Sequence, residues 1–474
     1  MWIIEGDSME KQLLSFYNLL PANIQNIICT IYGRKQRKTR YGGKFTDYLK
    51  WLESSQWWSA MEIEEYQVKK LCELVHYAYN NIPYYKEVLD KRGIRPEDVK
   101  SLSDIKKLPL LSKEDVRNFQ DKMISLAFPK NKLIHSHTSG TSGKSLQFFT
   151  TEEAIQFQWA VWWRHKKRFA VNVDDRYASF TGKGAVPITQ KKPPFWRENR
   201  AFNQTVFTMH HITSSKVYSI VDKLNSEKYV YYTGYPSIIA SLAAFVEDSG
   251  LSIERGPRII FTGAETLYED QRVLIERVFQ CPVTDQYGFS EGAGNASKCE
   301  EGFFHEDFEF GILECENGEE INDGSIRGNI VATGFSNFGM PFIRYQTGDT
   351  GIWKSSECKC GRKAKTLVKI EGRDEDFVIT PEGSRIMRFD YIFKDSHNIK
   401  EAQIVQNKLG SVTIRIVRRK GYSKSDEKMI KDEISLKISP SLEVEFEYVN
   451  DIERTSTGKF RAVVSLLEKQ AAKQ

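Results

Sequence analysis

Between His135 and Thr150 the chain reads His-Ser-His-Thr-Ser-Gly-Thr-Ser-Gly-Lys-Ser-Leu-Gln-Phe-Phe-Thr, and no other stretch restricts the fold as much. Thr138 to Lys144 holds only small or hydroxylated residues and a final lysine. Such a run cannot furnish a core, but it can form a loop whose backbone N–H groups converge. Gly140 and Gly143 permit positive φ and a close approach of the backbone to a ligand. Ser139, Thr141 and Ser142 add hydroxyl donors and Lys144 a point charge, together the donor set that a polyphosphate requires. The spacing departs from the phosphate loop G-x-x-x-x-G-K-[ST]: position 138 is Thr where Gly143-Lys144-Ser145 demands glycine. Leu146 to Phe149 also continue as a strand rather than as a helix. A flexible turn between two strands is the plainer alternative for the segment by itself.

The remaining composition narrows the class. A chain of 474 residues predicts two to four domains and a large core. With 40% hydrophobic and 28% charged residues it has the balance of a soluble globular protein. A net charge of +5 is small for this length and does not point to nucleic acid. Arg34, Lys35, Arg37, Lys38 and Arg40 form one basic cluster, read as a solvated face, with an anion or membrane contact as the alternative. No apolar run reaches transmembrane length, and the first residues lack the basic and apolar regions of a signal peptide. Seven cysteines in a long chain without such a signal predict a reducing, cytoplasmic setting.

In chain order, residues 1–60 lean helical and carry Trp51, Trp57 and Trp58, expected to pack against the body. A clearer helix follows, with Leu71, Leu74, Val75 and Ala78 on one face and an end near Asn80-Asn81-Ile82-Pro83. Ser112 and Asp115 mark a helix start. Glu152 to Phe169 reads as a helix rich in tryptophan. Residues 181–205, with Gly182, Gly184, Pro187, Pro193 and Pro194, read as one long loop of the kind that lines sites. Val230–Thr233 reads as a strand, and Gly234-Tyr235-Pro236 turns into a helix stopped by Gly250. Arg258–Thr262 is a buried-type strand followed at once by Gly263-Ala264-Glu265. Thr266 with Glu269 then predicts a capping box. Cys281–Asp285 predicts another strand before Gln286-Tyr287-Gly288-Phe289-Ser290-Glu291.

Strand, loop, helix, strand, loop is the order of an α/β sheet, whose ligands sit beyond the strand C-termini. The loops that begin at Ser139, Gly263 and Tyr287 are therefore expected to converge. Short strands follow over 328–333 and 342–349. Beyond Gly372–Asp376 the pattern becomes α+β: a helix near 425–438 with Ile430, Ile434 and Ile438 on one face, then Leu442, Val444, Phe446 and Tyr448 alternating with glutamates. The expected organisation is a helical extension over 1–59, a large α/β domain of mixed sheets and helices over 60–372, and a small mobile α+β domain over 373–474.

Two further groups are legible. Cys299 lies six residues before His305, and Cys358-Lys359-Cys360 follows some fifty residues later. Three thiolates and one imidazole suit tetrahedral Zn²⁺. The spacing is not that of a zinc finger, so four unrelated residues remain the alternative. Cys29, Cys72, Cys281 and Cys315 read as core or helix-face cysteines. His210-His211 reads as a surface pair, or else as lining for an acid pocket.

Thr138 to Lys144, Tyr287-Gly288-Phe289-Ser290-Glu291, Tyr345-Gln346-Thr347-Gly348-Asp349, Gly372-Arg373 and Thr457-Gly458-Lys459 occur in the order of the adenylate-forming superfamily. The chain resembles that superfamily over about residues 60–470, most of all its phenylacetate–CoA ligase branch and the CapK-like proteins of capsule and surface-polysaccharide clusters. Ile82-Pro83-Tyr84-Tyr85, Leu108-Pro109-Leu110-Leu111-Ser112-Lys113, Gly234-Tyr235-Pro236-Ser237 and Gln403-Ile404-Val405-Gln406 add to the resemblance.

The resemblance implies an AMP-forming ligase. A carboxylate attacks the α-phosphate of ATP, an acyl-adenylate and pyrophosphate form, and an acceptor then displaces AMP. Ser139, Gly140, Thr141, Ser142, Gly143 and Lys144 would hold the β- and γ-phosphates. Thr141, or a neighbouring hydroxyl, and Glu291 would sit near Mg²⁺, which favours oxygen ligands. Gly263, Ala264, Glu265, Asp285, Gln286, Tyr287, Gly288 and Ser290 would frame the nucleotide, and Asp349 would accept both ribose hydroxyls. Arg373 would reach the ribose or phosphate from the hinge, and Lys459 would neutralise charge between carboxylate and α-phosphate. Tyr235, Tyr287 and Gly288 would line the acid pocket, and related ligases carry a similar Cys…His…Cys-x-Cys set.

One departure from the family pattern stands at Glu375, where the hinge aspartate is usual; it puts the domain rotation in question. The cofactors implied are ATP and Mg²⁺, with Zn²⁺ and CoA left open. The partners are a small carboxylic acid and an acyl acceptor, either a sugar amine or hydroxyl or CoA. Aromatic residues near the pocket fit an aryl acid, whereas Lys183, Lys191, Lys192 and Arg197 fit a more anionic one. A nucleotide-binding scaffold without catalysis is the reading from another class; the intact Lys459, Glu291 and Asp349 speak against it. Residues 1–59 offer a surface for a partner contact, a homodimer included.

Overall fold

The computed structural model describes residues 8–137, 146–182, 184–321, 323–354, 356–371, 377–383, 385–386, 389, 392–393, 398–419, 421–453 and 463–467. Among them the dominant element is a twelve-stranded mixed sheet. Its centre is parallel: Gln204–Thr208, Tyr177–Thr181, Tyr231–Gly234, Ile259–Gly263 and Val283–Gly288 lie side by side and run the same way. Antiparallel strands extend both flanks, with Trp196–Asn199 on one and Asn295–Lys298, Phe304–Glu306, Thr366–Glu371, Tyr345–Trp353, Ile326–Gly334 and Gly311–Glu320 on the other. Burial on both faces explains the near-continuous apolar runs of the central strands. Ile259, Ile260 and Phe261 are all buried.

A four-stranded sheet in the order Glu443–Tyr448, Ser411–Arg418, Ile399–Lys408, Val463–Ser465 forms the smaller α+β unit with helix Lys424–Lys437. Ile430, Ile434 and Ile438 point into its core as their spacing predicts.

Local signals hold where local chemistry suffices. Ser112 accepts from the Asp115 N–H while Asp115 accepts from the Ser112 N–H, a closed capping box. Helix Ala60–Asn81 buries Leu71, Leu74, Val75 and Ala78 and ends before Pro83. Gly250, at φ 64°, ends helix Pro236–Asp248.

Five expectations change. Residues 181–205 are not one loop, because Trp196–Asn199 pairs with Gln204–Thr208 as an edge strand. Its inward residues are Arg197 and Asn199, both buried, so no hydrophobic alternation announces it. Arg197 is satisfied by Gln25, Gln190 and the carbonyls of Pro194 and Trp196, so it serves packing and not an acid pocket. Thr266 does not cap the next helix: that helix begins at Glu269 with Tyr268 as N-cap, and the Gln271 side chain accepts from the Tyr268 N–H. The strand expected over 281–285 runs instead from Val283 to Gly288. Trp57 is 56% exposed with the Arg362 guanidinium over its ring, whereas Trp51 and Trp58 do pack inward.

The first three helices, Ser8–Leu19, Ala22–Tyr41 and Phe45–Ser55, lie against the body. Gly33 marks the contact of the second: a Cβ there would come within 2.2 Å of the Asn199 side chain. Phe45, Leu49 and Leu52 of the third pack with Phe157, Ala160 and Val161 of helix Glu152–Arg168. No helix among the described residues is long and apolar enough to cross a membrane.

Candidate active site and metal centre

The strand ends of the parallel centre gather the candidate residues. Asp285, Gln286, Tyr287 and Gly288 close the strand Val283–Gly288, and Gly263 closes its parallel neighbour. Tyr287 donates to Asp349 at 2.9 Å, and Tyr345 donates to Glu291 at 2.8 Å. The two motifs are therefore locked reciprocally, each tyrosine holding the acid of the other segment. Burial and the neighbouring Asp349 carboxylate both push the Tyr287 phenol well above its ordinary range, so it stays a donor.

Asp349 reaches this position through a bulge. Asn329 faces Thr350 and Val331 faces Gln346, so Ile330 alone opposes residues 347–349. Gly348 takes φ 85°, Thr347 anchors to the Ile330 carbonyl at 2.9 Å, and the Asp349 N–H returns to Thr347 Oγ1. Bulges re-aim side chains in this way.

Ala264 adopts φ 68°, and Glu265 turns back to accept from the Ser237 hydroxyl at 2.7 Å and its N–H at 3.3 Å. A carboxylate at the first turn of helix Pro236–Asp248 satisfies an orphan donor and complements the helix dipole. Tyr235 sits at the N-cap of that helix with its ring edge beside Gly182, where a Cβ would lie 3.4 Å from it. Gly288 is held close to Asn295, and a Cβ there would meet the amide oxygen at 2.4 Å. Ser290 is exposed. Asp285 is buried and accepts from Thr262 at 2.9 Å. Burial raises its carboxyl to about 6, against the pull of Lys298, Thr262 and the Gln286 N–H.

The glycine-rich segment itself, Ser139, Gly140, Thr141, Ser142, Gly143 and Lys144, lies outside the described residues, as do Arg373, Glu375 and Lys459. The strands that flank the segment are described: Ile134–His137 pairs antiparallel with Gln147–Thr150, His137 opposite Gln147. A chain of ring contacts runs from that hairpin to the tyrosine–acid pairs, from Phe148 to Phe342, Tyr345, Phe289 and Tyr287.

Several supporting residues carried no local signal. Arg164 is fully buried and pairs with Asp307 at 2.5 Å and Glu309 at 2.6 Å. Asp307 also accepts from Asn295 and from Ser297, and Ser297 accepts from Gln286 at 3.2 Å. The strand bearing Tyr287 is thus braced from behind by a buried ionic cluster. Arg344, at φ 49°, spans Glu314, Glu316 and the Leu108 carbonyl. Beside it, the Leu111 N–H donates to the Arg344 carbonyl, and the Gln346 N–H to that of Leu111. That join ties Leu108–Leu111 to the strand Tyr345–Trp353 although the two are distant in sequence.

His210 and His211 are buried, not a surface pair. His211 bonds the Pro187 carbonyl through Nε2 and Lys216 through Nδ1. Burial, with Lys216 nearby, lowers it to about 3, so it is neutral and pins the 184–195 loop.

Cys299, His305, Cys358 and Cys360 come together, with one ligand atom from each within 4.8 Å of the others. Cys299 and Cys358 sulfurs are 3.7 Å apart, and Cys360 Sγ is 3.3 Å from His305 Nε2. With Zn–S near 2.3 Å, a tetrahedral S···S edge is about 3.8 Å, so the spacing fits. His305 Nδ1 lies 3.2 Å from the Ala364 carbonyl, which assigns the proton to Nδ1 and leaves the Nε2 lone pair facing the thiols. The cysteines are free thiols. The strand Asn295–Lys298 leads from Gly288 back past Gln286. The cluster after it therefore lies at the opposite end of the sheet from the tyrosine–acid pairs. A four-ligand set remote from that site suits a structural metal.

Comparison with known proteins agrees with this architecture. A family model for the CapK C-terminal domain matches residues 378–466. Protein CapK of Staphylococcus aureus is 29% identical over 458 residues, covering 95% of this chain and 98% of that one. Phenylacetate-coenzyme A ligase of Aromatoleum evansii is 28% identical over 336 residues, 67% of this chain and 72% of its own. The crystal structure of 2-hydroxyisobutyryl-CoA ligase with 2-HIB-AMP and CoA in the thioesterification state superposes with TM-score 0.56 at 18% identity, covering 89% and 94% of the two chains. The fold is that of the adenylate-forming CoA ligases. In sequence the chain is similar to Protein CapK over nearly its whole length and to phenylacetate-coenzyme A ligases over two thirds of it.

Proposed function

We propose that this protein uses ATP to activate a small carboxylic acid as its acyl-adenylate, releasing pyrophosphate, and then passes the acyl group to an amine or hydroxyl of a sugar in surface-polysaccharide synthesis. The observation that carries the reading is the reciprocal lock, which holds two carboxylates, Asp349 and Glu291, against two tyrosines at the C-terminal rim of the sheet.

The first step brings an anion to a polyanion, so the protein must supply fixed positive charge and donors. A carboxylate oxygen forms a bond to the α-phosphorus and the bond to the β-phosphate bridge breaks, with pyrophosphate leaving. Ser139 to Lys144 would supply the donors for the β- and γ-phosphates, and Lys459 would neutralise charge between the attacking carboxylate and the α-phosphate. Asp349 orients the ribose by accepting two hydroxyls, and Arg373 adds charge from the hinge. Glu291, buried with one oxygen fixed by Tyr345, fits a Mg²⁺ site. Mg²⁺ supplies charge neutralisation on the phosphates. Tyr235 and Tyr287 face the acid, and the small domain, over 373–474, turns between the two steps. Zn²⁺ fits the Cys299–His305–Cys358–Cys360 cluster as a fold-stabilising ion.

The sugar acceptor is supported by the CapK likeness, which spans nearly the whole chain. The second reading, thioester formation with CoA, is favoured by the relatives named phenylacetate-coenzyme A ligase. Pyrophosphate release is measured over a panel of acids with and without CoA. An acid-dependent burst without CoA, followed by AMP release only when an amino sugar or hydroxyl acceptor is added, supports the first reading. Turnover that requires CoA supports the second. Nucleotide binding with no pyrophosphate release from any acid leaves only the scaffold reading. Lys459→Ala is expected to lose the adenylation step while retaining nucleotide binding.

A further inference from the structure

The second helix, Ala22–Tyr41, presents one face to the body and another to solvent. Gln25, Cys29 and Gly33 are buried on the inner face. Arg40 stacks over Trp159 at 4.3 Å, Arg37 pairs with Asp174, and Gln25 accepts from Arg197. On the outer face Ile24, Ile27 and Ile31 are followed by Arg34, Lys35 and Lys38, all exposed. At helical spacing these six form one stripe about 100° wide. Its first half is apolar and its second half basic.

Phe16 and Leu19 of the preceding helix, 62% and 83% exposed, lie just before this stripe in the chain. Five of the seventeen exposed large hydrophobic side chains among the described residues thus fall between positions 16 and 31. From Lys11 to Thr46 the chain carries seven basic and no acidic residues, against a whole-chain balance of +5. The rest of the chain is therefore net −2. Among the described residues, Arg34, Lys35 and Lys38 make no side-chain ion pair, and Arg34 and Lys38 border an open cleft of about 470 Å³ with Arg37 and Tyr41.

We propose that this face docks the protein on an anionic membrane surface, with Phe16, Leu19, Ile24, Ile27 and Ile31 entering the interface and Arg34, Lys35 and Lys38 meeting lipid phosphates. An apolar stripe continued by cations is the pattern of interfacial helices, and anionic headgroups supply the complementary charge. A second copy of the chain is a poorer occupant. A two-fold contact would set the same basic row against itself, with no carboxylate between positions 11 and 46 to relieve it. The inner face stays on the body, so the whole protein docks without unfolding the helix.

Flotation of the full-length protein with vesicles tests this. The wild type is expected to float with phosphatidylglycerol–phosphatidylcholine vesicles (3:7) at low salt and to stay behind with phosphatidylcholine alone. Arg34→Ser/Lys35→Ser/Lys38→Ser is expected to lower partitioning about a hundredfold. Ile27→Ser/Ile31→Ser is expected to lower it about tenfold, because each side chain loses interfacial burial. All of these side chains are exposed, so both variants should melt as the wild type does. Failure of the wild type to float, or flotation of both variants at wild-type level, overturns the proposal. A vesicle-free dimer abolished by Ile27→Ser/Ile31→Ser would overturn it in favour of self-association. Binding to polyglutamate that ignores the isoleucine changes, without flotation, would overturn it in favour of an acidic partner.

Discussion

Replacing Arg164 with Met tests the brace behind the Tyr287 strand. Arg164, Asp307 and Glu309 have essentially no solvent access, and the arginine bonds one carboxylate at 2.5 Å and the other at 2.6 Å. Removing the cation leaves two buried acids facing each other's charge. The only other cation near Asp307 is Arg168 at 3.7 Å, among the described residues. Breaking a buried pair by deleting one partner costs about 3–5 kcal/mol. In a chain of this size each kcal/mol moves a melting midpoint by about 1 °C, so a fall of about 3–5 °C is expected by differential scanning fluorimetry at pH 8.

A second substitution carries the sharper test. Adding Glu309→Gln to Arg164→Met should recover part of the loss, since one buried charge is gone. A drop under 1 °C at pH 8, or no recovery in the double variant, would refute the reasoning.

Asp285→Asn should stabilise the protein at pH 8, by at most about 3 kcal/mol, because the wild-type carboxyl, raised to about 6 by burial, is ionised at a cost there; the advantage should fade as pH falls through 6 towards 4, measured by denaturant midpoints. Tyr287→Phe removes one donor from Asp349 and should weaken nucleotide binding about three- to tenfold by calorimetry, with the melting midpoint changed by under 3 °C. Purified protein should carry one zinc per chain by elemental analysis, and Cys358→Ser should lose it together with several degrees of melting temperature; full-length protein without zinc and indifferent to chelator would remove the metal from the account.

Residue order announces a polar loop after the strand that ends near Tyr287, whereas the Asp349 motif reads only as part of a short strand, and the family resemblance alone set the two against one nucleotide. Their mutual hydrogen bonds were not legible, because which tyrosine meets which acid depends on a register set some sixty residues apart. The metal cluster was readable as four ligand types, while its assembly depends on strand Phe304–Glu306 pairing with both Asn295–Lys298 and Thr366–Glu371. Trp196–Asn199 escaped notice because its buried residues are Arg197 and Asn199, and each also meets a helix more than 160 positions earlier, at Gln25 and Gly33.

By itself the amino-acid order determined what depends on near neighbours: the capping box at Ser112, the stop at Gly250, the isoleucine face of helix Lys424–Lys437, and the alternation of strand with helix. Only the tertiary structure decided the bulge that aims Asp349, the burial of Arg164 between two acids, and the neutral state of His211. The physical reason is range. Caps and periodicities are settled by contacts within a turn or two of chain. A buried charge, a register shift or a metal ligand set takes its energy from partners that only the folded sheet brings within a few ångströms.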